Sequence, residues 1–193
     1  LLMQRPALLT AVVTLAPSTI SAQTSTWVPD KAHSEVNFSV LHMSLTNVRG
    51  RFGNLGGSIV LNESDVTKSS VNVTIDVTTV DTGVTARDND LKSANFFEVA
   101  KFPTATFEST SVTKGGAGLT VAGNLTLHGV TKPVVLQVEG PKGPITGMDH
   151  KLHAGYSATT TVNRTDFNIG PKYPDAMVGD RISLSIDLDA VKQ

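Results

Sequence analysis

Residues 181–191 read RISLSIDLDAV, with Ile182, Leu184, Ile186, Leu188 and Ala190 at one parity and Ser183, Ser185, Asp187 and Asp189 at the other. Successive strand side chains point to opposite faces, so this stretch predicts a β-strand with one dry face and one wet face. Upstream, the same two-residue period recurs at Val36, Phe38 and Val40, along a glycine-broken run from Val48 to Leu61, and at Val71, Val73, Ile75 and Val77. It returns over residues 105–112, 119–127, 134–138 and 152–162, giving about eight strands. Gly115-Gly116 marks one hairpin, residues 129–133 a second, and residues 141–147 a looser loop. Residues 82–99, TGVTARDNDLKSANFFEV, break the alternation, and Val84, Leu91 and Ala94 fall near helical spacing, so a short crossover helix is expected there. Hairpin-linked strands with one apolar face each suit an all-β, antiparallel up-and-down barrel. Gly50, Gly53, Gly56 and Gly57 stand where such a sheet must bend.

The first 22 residues do not share this pattern. Gln4 and Arg5 precede an apolar run, residues 7–16, that ends in the small residues of Ile20-Ser21-Ala22, as in a cleaved export signal. A membrane span needs about twenty apolar residues in succession, and Thr10, Thr14, Pro17, Ser18 and Thr19 interrupt this one. The expectation is a signal over residues 1–22 and one exported, soluble domain over residues 23–193, most simply in a bacterial periplasm. The chain has 193 residues and no cysteine, so that domain is stabilised without disulfides. A formal net charge of -1 with no basic run lacks the electrostatic footprint of a nucleic-acid binder.

Catalytic constellations do not emerge. His150 and His153 lie three apart, on opposite faces of a strand, and no HExxH pattern occurs, so no metal site is expected. Ser and Thr alternate on the wet faces without a GxSxG elbow, and His128 beside Gly129 suits a backbone hydrogen bond. The expectation is a non-enzyme without a catalytic cofactor. Aromatic residues make up only 5% of the chain, and inward positions such as Val71, Val73, Ala105, Gly123, Ala154 and Ala158 are small. About eight strands enclose a space that side chains just fill or that holds one small ligand, and composition leaves both outcomes open.

Three stretches carry a resemblance. They are His33-Ser34 leading into Phe38-Ser39-Val40-Leu41-His42, then residues 87–97, RDNDLKSANFF, and then residues 123–133, GNLTLHGVTKP, together with Lys101-Phe102-Pro103 and Phe107. In order and spacing they resemble the YceI family across residues 27–191, with Asn89 standing where that family often has His. The resemblance implies an extended lipocalin-like barrel, exported, that binds a long-chain isoprenoid such as a polyprenyl phosphate or a quinone-type lipid in its pore. On that basis Phe38, Val40, Phe52, Leu91, Phe96, Phe97, Phe102, Phe107 and Phe167 are candidates for the apolar pore. His42, Arg87, Asp88, Arg164, Asp166 and Asn168 are candidates for a polar head group, since an Arg can hold a phosphate through two parallel hydrogen bonds. Structural alternatives stand beside them: Arg87-Asp88 tying the crossover helix to a strand, and Arg164-Asp166 fixing the turn after Val162. A homodimer through an uncovered strand edge is a further expectation. The competing function is an envelope interaction module for a membrane redox partner, with any bound lipid structural.

Overall fold

The computed structural model describes residues 23–116 and 118–193; the expected export signal, residues 1–22, lies outside them. The strands are β1 (Thr24–Pro29), β2 (Glu35–His42), β3 (Thr46–Phe52), β4 (Gly56–Asn62), β5 (Ser70–Asp76), β6 (Thr104–Gly115), β7 (Gly118–Leu127), β8 (Val130–Thr146), β9 (Leu152–Asn163) and β10 (Val178–Lys192), with helix α1 (Thr85–Lys92) between β5 and β6. Their pairings are all antiparallel.

These ten strands form eight staves. β1 and β2 lie along β10 as one line, from Trp27 opposite Lys192 to Val40 opposite Ile182. The interruption at residues 30–34 is pinned to the same strand: the Asp30 N–H donates to the Asp189 carbonyl (2.8 Å), and so does the Ser34 hydroxyl (3.2 Å). On the other side β3 pairs with β2 and β4 with β1, as two parts of a second long stave. The order β1-β4-β5-β6-β7-β8-β9-β10 then closes through β1–β10 into an up-and-down barrel. The glycine-broken run seen in the sequence is this bent second stave. At Gly57 (φ +97°) a Cβ would lie 2.1 Å from the Asn72 carbonyl, so the β4–β5 approach excludes any side chain there.

Three sequence expectations are corrected. β1 escaped notice because its buried positions, Ser25, Trp27 and Pro29, carry only one large apolar side chain and show no alternation of the usual kind. The expected turn over residues 129–133 shrinks to His128-Gly129, both at positive φ (51° and 74°), and Pro133 pairs with Asn124 inside the sheet. The expected loop over residues 141–147 is mostly strand: β8 reaches Thr146, with register shifts on either side of Lys142. Those irregularities accommodate Pro141 and Pro144, which have no N–H for a regular ladder.

The crossover segment does form a helix. At eight residues α1 is too short to be stable alone, and it is tied to the chain before it. The Asp88 carboxylate accepts from the Thr82 N–H (2.9 Å) and hydroxyl (2.5 Å), while Arg87 donates Nε to the Thr82 hydroxyl (2.8 Å) and Nη2 to the Thr82 carbonyl (2.9 Å). The chain just before the helix is tied to β3 by an isolated antiparallel bridge between Arg51 and Asp81. We call this the helix end of the barrel; the 3-10 turn Val66–Lys68 lies at the far end.

Candidate functional site: an apolar tunnel

Ile182, Leu184, Ile186 and Leu188 of β10 point inward yet are only half-buried. They pack against the core on one side and border a cavity on the other. Two chambers occupy the barrel axis, about 150 Å³ toward the far end and about 120 Å³ toward the helix end. Each is roughly ten times the ~10–15 Å³ that a single water molecule requires. Val36, Ile75, Leu125 and Leu184 border both, so the chambers lie end to end along the barrel and share a waist. The choice that composition left open is thus resolved in favour of the hollow barrel.

The walls are almost wholly hydrocarbon. Among the described residues, the side chains with polar atoms are Ser69, Tyr156 and Thr160 in the far-end chamber and Arg164 in the helix-end chamber. Ser69 and Thr160 are bonded to backbone, since the Ser69 hydroxyl accepts from the Asn62 N–H (3.0 Å) and the Thr160 hydroxyl donates to the Val135 carbonyl (2.9 Å). The Tyr156 hydroxyl is buried and has no hydrogen-bond partner among the described residues. Burial pushes its phenol above the usual range, so it remains a protonated donor.

Of the residues expected to line a pore, Phe38, Val40, Phe52, Leu91, Phe96, Phe97 and Phe167 border the helix-end chamber and Phe107 the far-end chamber. The phenyl rings form a connected wall: Phe38 and Phe52 have centroids 5.4 Å apart, and Phe52 meets Phe97 edge-on at 5.5 Å. Phe96 stacks on Tyr173 at 5.0 Å, and Phe167 is 1% exposed, so aromatic packing makes the floor of the helix end. Phe102 is a correction. It borders neither chamber, because its ring packs edge-on against His128 (4.7 Å) under the His128-Gly129 turn.

The expected head-group residues do not converge on the tunnel. Arg87 and Asp88 are engaged with Thr82, and His42 is exposed at the end of β2. Asp166 is exposed and accepts from Asn163 (3.4 Å), and Asn168 adopts a left-handed conformation (φ 56°) that ends the 3-10 turn Arg164–Phe167. Arg164 reaches the chamber wall, but its guanidinium donates to the carbonyls of Ile169, Gly170, Tyr173, Val178 and Gly179 at 2.6–3.3 Å. It is 4% exposed and organises the loop between β9 and β10. The structural alternatives therefore describe both Arg pairs better than a phosphate grip, since the donors are already occupied by backbone.

Histidines find local partners. His128 Nδ1 lies 3.0 Å from the Phe167 carbonyl, and His153 bridges Asp189 (2.8 Å) and Asp149 (3.1 Å) on the barrel exterior. Those two carboxylates raise the His153 pKa, with Asp189 the larger cause. Sequence reasoning missed the waist residues Val36, Ile75, Leu125 and Leu184 and, among side chains with a polar atom, Tyr156. Its signal was an inward parity between Ala154 and Ala158, a ring with a polar tip where the neighbours are methyl groups.

A YceI-like domain model matches residues 27–190. The YceI protein of Salmonella newport is 39% identical over 167 residues, covering 83% of this chain and 83% of that protein. The structure of a Campylobacter jejuni YceI protein superposes with a TM-score of 0.69 at 29% identity, covering 77% of this chain and 87% of the other. A polyisoprenoid-binding domain from Saccharophagus degradans shares the fold, with a TM-score of 0.62 at 16% identity over 89% of this chain and all of that one. With a family model spanning residues 27–190 and a relative 39% identical over 83% of each chain, this chain belongs to the YceI family.

Proposed function

We propose that the protein is a non-enzymatic carrier that holds one long-chain isoprenoid, of the polyprenyl phosphate or quinone type, inside the barrel. The observation that carries this function is the pair of apolar chambers lying end to end inside the barrel, with Val36, Ile75, Leu125 and Leu184 bordering both. The relative from S. degradans, described as polyisoprenoid-binding, supports the ligand class.

Size and energetics agree with it. Tunnel-lining positions on β10 run from Val178 to Leu188, about 33 Å of strand at ~3.3 Å per residue. A strand tilt of 35–45° reduces this to about 25 Å along the axis. An extended carbon chain with bonds of ~1.5 Å advances about 1.25 Å per bond, so roughly twenty backbone carbons, or five isoprene units, fit. At ~0.8 kcal/mol per buried methylene the gross gain is about 16 kcal/mol, much of which offsets lost ligand freedom. One head-group hydrogen bond adds only about 1 kcal/mol. The tail dominates affinity, and chains of similar length are discriminated weakly.

The export signal expected over residues 1–22 supports a periplasmic setting, where a water-soluble shell lets an oily molecule leave one membrane surface and reach another. Lipid extraction and mass spectrometry of the natively purified protein test the function directly. The expected result is a stoichiometric isoprenoid. Protein that is uniformly lipid-free and also ignores added polyprenols and quinones overturns it.

A further inference from the structure

On the outer face of the barrel, at the seam where β1 and β10 close it, we infer a binding site for one divalent transition-metal ion, zinc above all, with Asp30, His33 and Asp189 as ligands and His153 positioning Asp189. It lies outside the tunnel and does not depend on the carrier function.

The fold assembles a donor set that the sequence keeps far apart. Asp30 and His33 stand in the turn between β1 and β2 and Asp189 in β10, and one side-chain donor atom from each lies within 4.8 Å of the other two. His33 Nδ1 is 3.4 Å from Asp30 Oδ2. Around a tetrahedral zinc with ligands at ~2.0–2.2 Å, neighbouring donors are ~3.3–3.6 Å apart, so this edge is already formed. The remaining edges need side-chain movements of about 1 Å, and His33, 70% exposed, is free to make its share.

The carboxylates are held in place from behind. The Asp30 N–H donates to the Asp189 carbonyl (2.8 Å), and the Ser34 hydroxyl donates to that carbonyl (3.2 Å) while accepting from the Asp189 N–H (3.1 Å). Asp30 commits Oδ1 to the Ala32 N–H (2.7 Å), which leaves Oδ2 for His33 and an ion. Asp189 Oδ1 lies 2.8 Å from His153 Nδ1, and His153 Nε2 lies 3.1 Å from Asp149. An ionised carboxylate has about four lone-pair directions, so the His153 contact orients Asp189 without using up its capacity for a metal.

An ion pair accounts for His33 and Asp30 alone. It leaves a second carboxylate drawn within 4.8 Å of the first, where like charges repel. A dication neutralises both, takes the imidazole as third ligand and keeps an exposed fourth position for water. One nitrogen and two oxygens suit Zn2+ and its first-row neighbours, whereas Mg2+ and Ca2+ need about six or more oxygens. An ion at this place clips the turn between β1 and β2 to β10, where the barrel closes.

Titration of untagged, chelator-treated protein with Zn2+, Co2+, Mg2+ and Ca2+ tests the site. One Zn2+ should bind per chain by calorimetry, with Mg2+ and Ca2+ at least ~100-fold weaker, and Co2+ should show the visible bands of a tetrahedral ion. With Zn2+ at about a hundred times its Kd, the melting temperature should rise by roughly 5–10 °C. His33→Ala and Asp189→Asn should each weaken Zn2+ binding at least ~10-fold, and His153→Gln should weaken it roughly 10-fold and shift the cobalt bands. His42→Ala, exposed at the other end of β2, should change nothing. Because His33 is exposed, metal-free His33→Ala should melt like the metal-free wild type, which separates loss of a ligand from loss of the fold. Absence of ion binding, Ca2+ bound as tightly as Zn2+, or Zn2+ binding that survives both His33→Ala and Asp189→Asn overturns the site.

Discussion

A bulky side chain at the waist separates a tunnel from two unrelated cavities. Val36 is 5% exposed and borders both chambers, so Val36→Phe places a ring across the passage. Overpacking a solid core costs about 1–3 kcal/mol; here the chambers on either side accept the added volume, so the variant should fold with near-native circular dichroism. A chain of roughly twenty carbons then reaches only one chamber, losing about ten carbons and a gross burial near 8 kcal/mol at ~0.8 kcal/mol per methylene. Ordering those carbons has its own entropic cost, so only part of that gain is realised in the wild type. If a quarter is realised, about 2 kcal/mol, the affinity falls roughly 30-fold. The assay is a series of polyprenols of increasing length titrated against both proteins. In the wild type affinity should rise with each isoprene unit until the tunnel is full; in Val36→Phe it should level off at about half that length. A variant whose affinity keeps rising with chain length, at wild-type values, would refute a through-going passage at this waist.

Other substitutions separate lining from support. Phe38→Asp and Phe107→Asp each place a carboxylate against hydrocarbon and should weaken isoprenoid binding roughly 10- to 100-fold by fluorescence competition, whereas Phe102→Ala, away from both chambers, should lower the melting temperature and leave binding unchanged. Arg164→Met strands five carbonyls and should destabilise the protein by about 3–5 kcal/mol in urea unfolding; Arg164→Lys, with three donors in place of a planar fork, should recover less than half of the loss. His153 has a pKa raised above 6.5 by Asp189 and Asp149, so its stabilising contribution is fully present below pH ~6.5 and is lost as pH rises through the higher folded-state value. Thermal melts of wild type and His153→Gln should therefore differ most near pH ~5.5 and converge above the folded pKa; a gap that is constant with pH would show that the ion pairs contribute nothing.

The wall of the barrel was legible because each stave has a two-residue code, and RISLSIDLDAV is its plainest instance. The same code hid the interior. An inward Leu looks alike in sequence whether it meets another side chain or a cavity, and only the half-buried state of Leu184 and Leu188 distinguishes the two. Arg164 was legible as a charged residue near a strand end, but its role depends on a loop of fourteen residues between β9 and β10 folding back so that five carbonyls surround one guanidinium. No local pattern encodes that wrapping. Tyr156 was seen as one more alternating residue, since whether a phenol finds an acceptor is decided by the strands opposite it.

A hollow barrel forgoes the packing that stabilises most domains, so its wall must hold without a filled centre. Here the compensation is distributed. Closure of eight staves pairs the backbone around the full circumference, and the small clusters at Trp27 and Ala190, at Leu55 and Val77, and at Phe167 and Ile169 pack tightly between strands or at the ends. Polar ties, Asp88 to Thr82 and Arg164 to its loop, secure the short helix and the connection between β9 and β10. Because rigidity resides in the shell, the lining is free to be almost wholly hydrocarbon.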